Sequence, residues 1–188
     1  LVGVRSAVKE YDKRRVAVVG TPCQMRGLRR IETGAYVESS IAGAVDLAIG
    51  LFCMETFNHH SLMEFLEEEG IDASKVTKFD IKRGRFIAYQ DGEVAYKVKL
   101  GKIKGLVRPC CHHCDDFAAE FADISIGNVG SPDGWSTVIV RTERGEEALK
   151  AAEKGGLVEV KPLDGVKPGL KVVVKLAKFK KKQVESTA

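Results

Sequence analysis

Apolar residues in the first third of the chain follow two patterns, one helical and one continuous. Residues 2–11 carry apolar positions at helical spacing, which predicts an amphipathic helix. Residues 15–20 and 46–52 are short apolar runs, typical of buried strands. Between them, Thr21-Pro22 marks a turn, and residues 23–31 are predicted to form a second helix.

The middle of the chain changes from helical spacing to strand alternation. A helix is predicted over residues 59–69, ending at Gly70. Its inward positions are predicted to be Leu62, Met63, Phe65 and Leu66. Three strands should follow, at residues 76–82, 86–90 and 93–100. Asp91-Gly92 between the last two is a strong signal for a tight hairpin turn.

The last third begins after a loop rich in Gly, Pro and Cys at residues 101–116. Two strands at residues 122–129 and 135–141 are predicted to flank a glycine-rich turn. A helix at residues 143–154 should follow, then a short strand at residues 157–160 and a lysine-rich helical tail at about 166–188. We therefore predict one mixed α/β (α+β) domain over residues 1–188, with a central, mostly parallel sheet, flanking helices and an inserted antiparallel hairpin.

Charge is distributed unevenly along the 188 residues. The net charge is +4, but six lysines lie between positions 171 and 182. Without those six the rest of the chain carries 4 − 6 = −2. A basic tail of this kind either binds an acidic partner or forms the solvated face of a terminal helix. Since no aromatic residues alternate with the basic ones and no nucleic-acid motif is present, no nucleic-acid partner is predicted.

The N-terminal residues and the apolar runs indicate the cellular compartment of the protein. The longest apolar stretch, at residues 41–57, is interrupted by Asp46 and Glu55, so no membrane span is predicted. Residues 1–20 lack the pattern of a secretory signal, and we predict a cytoplasmic protein. Because the chain begins at Leu1 with a helix that needs a packing partner, we expect a fragment or a processed product of a longer protein.

Five cysteines are the strongest chemical signal. Cys23 follows a predicted strand at the start of a helix, and Cys53 ends another predicted strand. Cys111 and Cys114 form a C-x2-C pair in a loop. Because the ends of parallel strands open toward a shared crevice, these four thiols are expected to converge. The partial positive charge at a helix start also stabilises negative charge at a bound thiolate.

Four thiolates suit either a cubane iron–sulfur cluster or a structural zinc ion. Zinc sites usually present two close pairs, whereas here Cys23 and Cys53 are 30 residues apart and Cys111 lies 58 residues further on. The spacing favours iron–sulfur, with zinc and unligated core thiols as alternatives. Cys110 could replace Cys111 or be a buried thiol. The histidine pairs 59–60 and 112–113 could be zinc ligands but are more often surface groups.

Four segments carry a more specific signal. In chain order, they are VGTPCQMRGLR at 19–29, GLFCMETF at 50–57, KFDIKRGRF at 78–86 and CHHCDDFAAEFADISIGNVGSPDGWSTVIVRT at 111–142. Together they resemble a known family, the beta subunits of coenzyme F420-reducing hydrogenase and the related formate dehydrogenase subunits. The resemblance implies an electron-transfer subunit with a [4Fe–4S] cluster and FAD. It further implies hydride transfer to or from coenzyme F420, and partner subunits of a hydrogenase or dehydrogenase complex.

The resemblance also implies particular site residues. Carried over to this chain, the cluster ligands are Cys23, Cys53, Cys111 and Cys114, whereas Cys110 stands where the family usually has no cysteine. No catalytic residue is assigned. Residues expected to bind the cofactors are Thr21, Glu55, Gly127, Gly130, Ser131, Gly134, Trp135 and Ser136.

Each part of this expectation has an alternative. The glycine-rich segment could be a plain loop with Trp135 in the core, and Glu55 could cap a turn. Full-length members carry a further N-terminal region, so this chain is expected to hold the cluster but to bind FAD weakly or not at all. The chain as a whole could instead be a zinc-stabilised interaction module, or a related flavin and iron–sulfur reductase with another acceptor.

Overall fold

A computed structural model describes residues 2–34, 41 and 43–185 of the chain. The chain divides into two compact units. The first contains Leu1–Met54 and Cys114–Ala188, and the second contains Glu55–His113. Each unit is described by itself below.

Five helices and seven strands make up the regular structure of the described residues. The helices are α1 (Val2–Lys9), α2 (Pro22–Thr33), α3 (His59–Glu68), α4 (Glu143–Lys154) and α5 (Leu170–Glu185). The strands are β1 (Val16–Gly20), β2 (Val45–Leu51), β3 (Lys78–Lys82), β4 (Arg85–Gln90), β5 (Glu93–Lys99), β6 (Ile124–Gly127) and β7 (Thr137–Val140). Short 3-10 helices lie at Ala73–Lys75, Leu100–Leu106 and Pro109–His113.

The first unit is built on a four-stranded sheet in the order β1-β2-β6-β7. β1, β2 and β6 are parallel, and β7 pairs with β6 in the antiparallel direction. Gly20 pairs with Gly50, and Gly50 pairs with Ser125, so the carboxyl ends of the three parallel strands lie at one edge. The predicted mixed α/β fold with a mostly parallel sheet is confirmed.

Helix α2 covers one face of this sheet. Met25 and Leu28 on α2 are 0% and 1% exposed, and they pack in one cluster with Ala48 of β2 and with Ala119 and Ala122. The alanines leave room for the larger helix side chains, which brings α2 close to the sheet. Tight packing at this point fixes where α2 begins, at the carboxyl edge of β1.

Gly50 lies in this closely packed layer, and its replacement by alanine is expected to destabilise the first unit. An added Cβ would lie 2.2 Å from the Cβ of Ala119 and 2.9 Å from that of Ala122. Because the layer is rigid, we expect a loss of about 1–3 kcal/mol in the free energy of unfolding. Urea denaturation measures it, with Gly101→Ala as the control, since a Cβ at Gly101 meets nothing within 4 Å. Equal stability of both variants would contradict the packing argument.

The second unit is a three-stranded antiparallel sheet, in the order β3-β4-β5, packed with α3. The predicted hairpin turn is confirmed, since Asp91 and Gly92 both have positive φ, 51° and 85°. Leu62 and Leu66 of α3 are buried, whereas Met63 and Phe65 are half-buried against the same core. Residues 101–116, predicted as loop, are largely 3-10 turns.

The predicted strand at residues 157–160 is wrong. These residues follow a helix-ending turn in which Leu157 N–H donates to Ala152 O, and Gly156 adopts a positive φ of 68°. The segment has no strand partner among the described residues, and β7 is the last strand of the sheet order. Its valines, Val158 and Val160, instead line a cavity beside β7. The apolar residues at 157–160 therefore belong to a segment that lies along an apolar surface without pairing as a strand.

The lysine-rich tail forms helix α5, as predicted, and residues 186–188 at its end lie outside the described residues. Its Val173 is 3% exposed and packs with Phe117 and Ala118. Helix α5 is thus part of the core of the first unit. Within the described ranges, no helix is long and apolar enough to cross a bilayer.

Candidate functional site

Two of the cysteines follow neighbouring strand ends in the first unit. β1 ends at Gly20 and Cys23 lies in the first turn of α2, while β2 ends at Leu51 and Cys53 follows two residues later. Since β1 and β2 are parallel neighbours, both segments leave the sheet at the same edge. The order of the strands alone therefore brings the segments of Cys23 and Cys53 to one edge of the sheet.

The segment that follows a third cysteine, Cys114, is bonded to this edge of the sheet. Cys53 N–H donates to Phe117 O at 2.9 Å, three residues after Cys114. Arg26, one turn beyond Cys23 on α2, forms an ion pair with Asp115, the residue after Cys114. The hydrogen bond from Arg26 lowers the pKa of Asp115. The segment that follows Cys114 is therefore held against both α2 and the end of β2.

The thiols of this group have local polar contacts. Cys23 Sγ lies 3.2 Å from Thr21 Oγ1, and Thr21 N–H donates to Gln24 Oε1 at 2.8 Å. Cys114 Sγ donates to Asp116 O at 3.6 Å. Hydroxyl donors beside sulfur are suitable neighbours for a metal-bound thiolate, because hydrogen bonds to sulfur stabilise its negative charge. Thr21, a predicted cofactor residue, thus contacts a predicted ligand.

Cys111 belongs to the second unit, in the 3-10 helix Pro109–His113. Thr56 N–H donates to Cys111 Sγ at 3.4 Å, and the Thr56 hydroxyl lies 3.5 Å from the same sulfur. Cys110 beside it is exposed, which excludes the expectation of a buried thiol at that position. Thr56 was not singled out from the sequence, although it lies in the same motif as Cys53.

The four histidines are all exposed. His60 lies 3.2 Å from Glu64 on the surface of α3, and His112 and His113 are exposed in the chain between Cys111 and Cys114. Glu55, a predicted cofactor residue, is half-buried. Its proposed hydrogen bond to a cofactor stays a prediction.

One lysine of the basic tail has a very different environment from the others. Lys180 is 3% exposed, and its Nζ donates to the backbone carbonyl of Cys53 at 2.6 Å. One of the two alternatives for the basic tail, a solvated face of a terminal helix, is wrong for Lys180. A signal was present, because Val173, Ala177 and Lys180 share one side of a helix at spacings of four and three residues.

Asp116 is a second buried charged residue beside the cysteines. It is 2% exposed; its Oδ2 accepts the N–H of Glu120 at 2.9 Å, while Oδ1 has no hydrogen-bond partner within the described ranges. Burial raises the pKa of this carboxyl group. An unsatisfied buried oxygen of this kind is uncommon and is enriched at functional sites.

Packing explains two of the glycines in the segment predicted to bind flavin. A Cβ at Gly127 would lie 2.2 Å from the ring of Phe52, and one at Gly130 would lie 2.8 Å from Val173. Ser131 hydrogen-bonds Thr137 through their hydroxyls at 2.6 Å. Only at Gly134, with a φ of 87°, is the space beyond Cα open. Packing thus accounts for Gly127 and Gly130, and the Ser131 hydrogen bond ties the loop to the start of β7.

Trp135 and Ser136, at the end of this loop, line two adjoining cavities of about 460 and 660 Å³ in the first unit. Trp135 is 36% exposed, so it lies at a cavity wall and not in the core. Lys161 Nζ lies 4.6 Å from the centre of its ring. Apolar side chains of β2, β6 and β7 form much of the larger cavity: Leu47, Ile49, Ile124, Ile126 and Val138.

Both implied cofactors can be tested against these residues. No group of three or more His, Cys, Asp or Glu side chains in the described ranges is close enough to hold a metal ion. The five cysteines nevertheless form no disulfide among the described residues, and sulfur donors with hydroxyl and N–H neighbours are of the type that an iron–sulfur cluster requires. A mostly apolar cavity of about 460 Å³ with an aromatic wall suits a flat ring. The chemistry of the donors therefore suits a cluster, although their side chains are not gathered in the described structure, and the shape and lining of the cavity suit a flat ring.

Comparison with known proteins places these features in a family. The family model for the C terminus of coenzyme F420 hydrogenase/dehydrogenase beta subunits matches residues 13–166. The beta subunit of coenzyme F420 hydrogenase from Methanothermobacter thermautotrophicus is 40% identical over 183 residues, covering 97% of this chain and 65% of the relative. The coenzyme F420-dependent sulfite reductase of Methanocaldococcus jannaschii is 39% identical, over 92% of this chain and 28% of the relative.

A solved structure agrees with the sequence relatives. A chain of the F420-reducing [NiFe] hydrogenase complex from Methanosarcina barkeri superposes with a TM-score of 0.92 at 38% identity, over 99% of this chain and 64% of that chain. This chain therefore spans about two thirds of the length of the hydrogenase subunits that it matches. With a family model covering most of its residues, the chain belongs to the family of coenzyme F420 hydrogenase/dehydrogenase beta subunits.

Proposed function

We propose that the chain is an electron-transfer part of an F420-linked oxidoreductase, and that Cys23, Cys53, Cys111 and Cys114 hold a [4Fe–4S] cluster in it. The observation that supports this most is that Cys23 and Cys53 follow neighbouring parallel strands while the segment after Cys114 is hydrogen-bonded to the same edge. When bound, a cluster would exchange single electrons, and FAD would couple two such one-electron steps to hydride transfer to or from coenzyme F420.

The residues around the cysteines serve to position them. Arg26 and Asp115 fix the segment after Cys114 to α2. The rings of Phe52 and Phe117 contact each other with centroids 5.3 Å apart, and the Phe117 carbonyl accepts the N–H of Cys53. These contacts fix the backbone beside Cys53.

FAD is proposed to place its ring against Trp135, in the cavity that Ser136 also lines. The cavity suits the ring because its wall is aromatic and largely apolar, while Ser131 and Ser136 supply hydroxyl groups. Thr137 of β7 pairs with Gly127 of β6, so the loop before Thr137 begins at the same edge of the sheet as the cysteine segments. Electron exchange between two bound groups requires such common placement.

Partner subunits and coenzyme F420 are proposed from the relatives. The matched chain from Methanosarcina barkeri is part of a hydrogenase complex, and another relative is a subunit of the F420H2 dehydrogenase of Methanosarcina mazei. Since this chain covers 64% or 65% of the hydrogenase subunits, the remaining third of such a protein is proposed to complete the FAD and F420 sites. We expect weak FAD binding in its absence.

Metal and sulfide analysis of anaerobically prepared protein tests the cluster. Iron and acid-labile sulfide in equal amounts, with a broad brown absorption, would support it. The alternative of a zinc-stabilised interaction module predicts one zinc ion, no iron and no colour. Protein with zinc and without iron would therefore overturn the proposed redox role.

FAD binding can be followed through Trp135, because it is the single tryptophan of the chain. Added FAD is expected to quench its emission, since the flavin ring would lie against the indole. Ser136→Leu narrows the cavity and should remove more than about half of the quenching at the same FAD concentration. Adenosine monophosphate, which lacks the flavin ring, is the control. Equal quenching by the variant and the wild-type chain would contradict this placement.

A further inference from the structure

Lys180 has a contact that the proposed function does not yet use. It is on α5, 127 residues after Cys53, and its Nζ donates to the Cys53 carbonyl at 2.6 Å. The residue is only 3% exposed. Burying an ammonium group costs much free energy unless negative charge or several acceptors surround it. The position therefore calls for a source of negative charge.

Protein carboxylates do not supply that charge among the described residues. The neighbouring Lys181 is the one that pairs with Glu120, at 2.9 Å. Asp115 is taken by Arg26. Asp116 Oδ1 accepts no hydrogen bond, so this buried oxygen does not hold the ammonium either. A single backbone carbonyl is the hydrogen-bond acceptor that the structure gives to Lys180.

We propose that Lys180 is a positioning residue that holds the Cys53 backbone and places a buried positive charge beside the cluster, and thereby raises the cluster's reduction potential. This inference rests on the proposed function, since the cluster with its four thiolates would be the missing negative charge. Reduction adds one more negative charge, which a nearby ammonium in a medium of low dielectric stabilises. The contact to the carbonyl also fixes the Cys53 loop.

The test measures the cluster's midpoint potential in the anaerobically prepared chain, by dithionite titration followed by electron paramagnetic resonance. Lys180→Met removes both the charge and the hydrogen bond, whereas Lys180→Gln removes the charge but keeps an N–H donor. Lys180→Arg keeps both. Lys178→Met is the matched control, because it removes the same charge from an exposed position of the same helix.

Both Lys180→Met and Lys180→Gln are expected to disfavour reduction by about tenfold, which corresponds to a shift of about 59 mV to lower potential for one electron. Lys180→Arg and Lys178→Met should stay near the wild-type potential. If Lys180→Met loses the cluster while Lys180→Gln keeps it, the midpoint potential of Lys180→Gln is the test of this inference. An unchanged potential in Lys180→Gln with full iron content would overturn this inference alone. Absence of iron and sulfide from the wild-type chain would overturn the cluster proposal, and this inference with it.

Discussion

Replacing Asp123 by alanine is expected to lower the free energy of unfolding of the first unit by about 3–5 kcal/mol. The side chain of Asp123 is 3% exposed, and it accepts hydrogen bonds from three separate elements. Ala48 N–H of β2 donates at 2.8 Å, Arg29 of α2 at 3.0 Å, and the hydroxyl of Thr142 at 2.9 Å. Alanine would leave the buried N–H of Ala48 without this acceptor, and it would remove one of the two carboxylates that pair with Arg29.

The same contacts explain why this carboxylate affects the site as well as stability. Thr142 begins α4, and its hydroxyl also accepts the N–H of Gly145 in the first turn of that helix. Arg29 in turn fixes α2, whose first turn carries Cys23. One buried group therefore ties both helices to the central strand β2. Loss of the group should loosen the carboxyl edge where the cysteines lie.

Urea denaturation followed by the emission of Trp135 measures this effect, because Trp135 reports on the first unit. Asp46→Ala is the matched control, since it removes an aspartate that pairs with Arg15 at exposures of 48% and 81%. An exposed pair of this kind contributes at most about 1 kcal/mol. If Asp123→Ala and Asp46→Ala destabilise the unit equally, Asp123 is not the central connection described above.

The main elements of the fold could be predicted from periodicity, because the apolar residues of each element pack into one core. β1 and β2 are short apolar runs in a sheet that is covered by α2 on one face. Helix α4 has both of its predicted ends, at Glu143 and Lys154, and in the structure Thr142 caps its start. Residues 157–160 were predicted wrongly, because apolar alternation does not reveal whether a segment finds a strand partner.

Contacts between distant residues were the part that the sequence could not reveal. Asp123 lies inside the strand predicted at residues 122–129, and only the fold shows its bonds to α2 and to β2. Lys180 looked like one lysine of a solvated tail, yet α5 packs through Val173 and buries it. The contacts of Asp123 with Arg29 and of Lys180 with Cys53 join residues 94 and 127 positions apart, which no local pattern reveals.

The candidate cluster ligands, by contrast, could be predicted from local sequence patterns. Cysteines that follow apolar strands are conspicuous in any sequence, and the rule that parallel strands end at one edge places Cys23 and Cys53 together. The identity of the bound group is not contained in that rule. It came from the resemblance of motifs such as GLFCMETF, and it is the part that metal analysis must establish.

Replacing Cys23 by serine is expected to remove the cluster. Serine is a poor ligand for iron in such a site, so iron and sulfide should fall below about a quarter of the wild-type content. Cys53→Ser and Cys114→Ser should behave in the same way. Iron and sulfide analysis of anaerobically prepared variants, with the visible spectrum, measures the loss.

Cys110→Ser is the matched control, because Cys110 is an exposed thiol next to Cys111 in the sequence. It should keep the wild-type iron content, while Cys111→Ser loses it. The contact with Thr56 supports Cys111 as the ligand, since the Thr56 N–H donates to Cys111 Sγ at 3.4 Å. Full iron content in Cys111→Ser together with its loss in Cys110→Ser would assign the ligand to Cys110. Retention of full iron content in Cys23→Ser would contradict the ligand set as a whole, because no cluster with four cysteine ligands could then include Cys23.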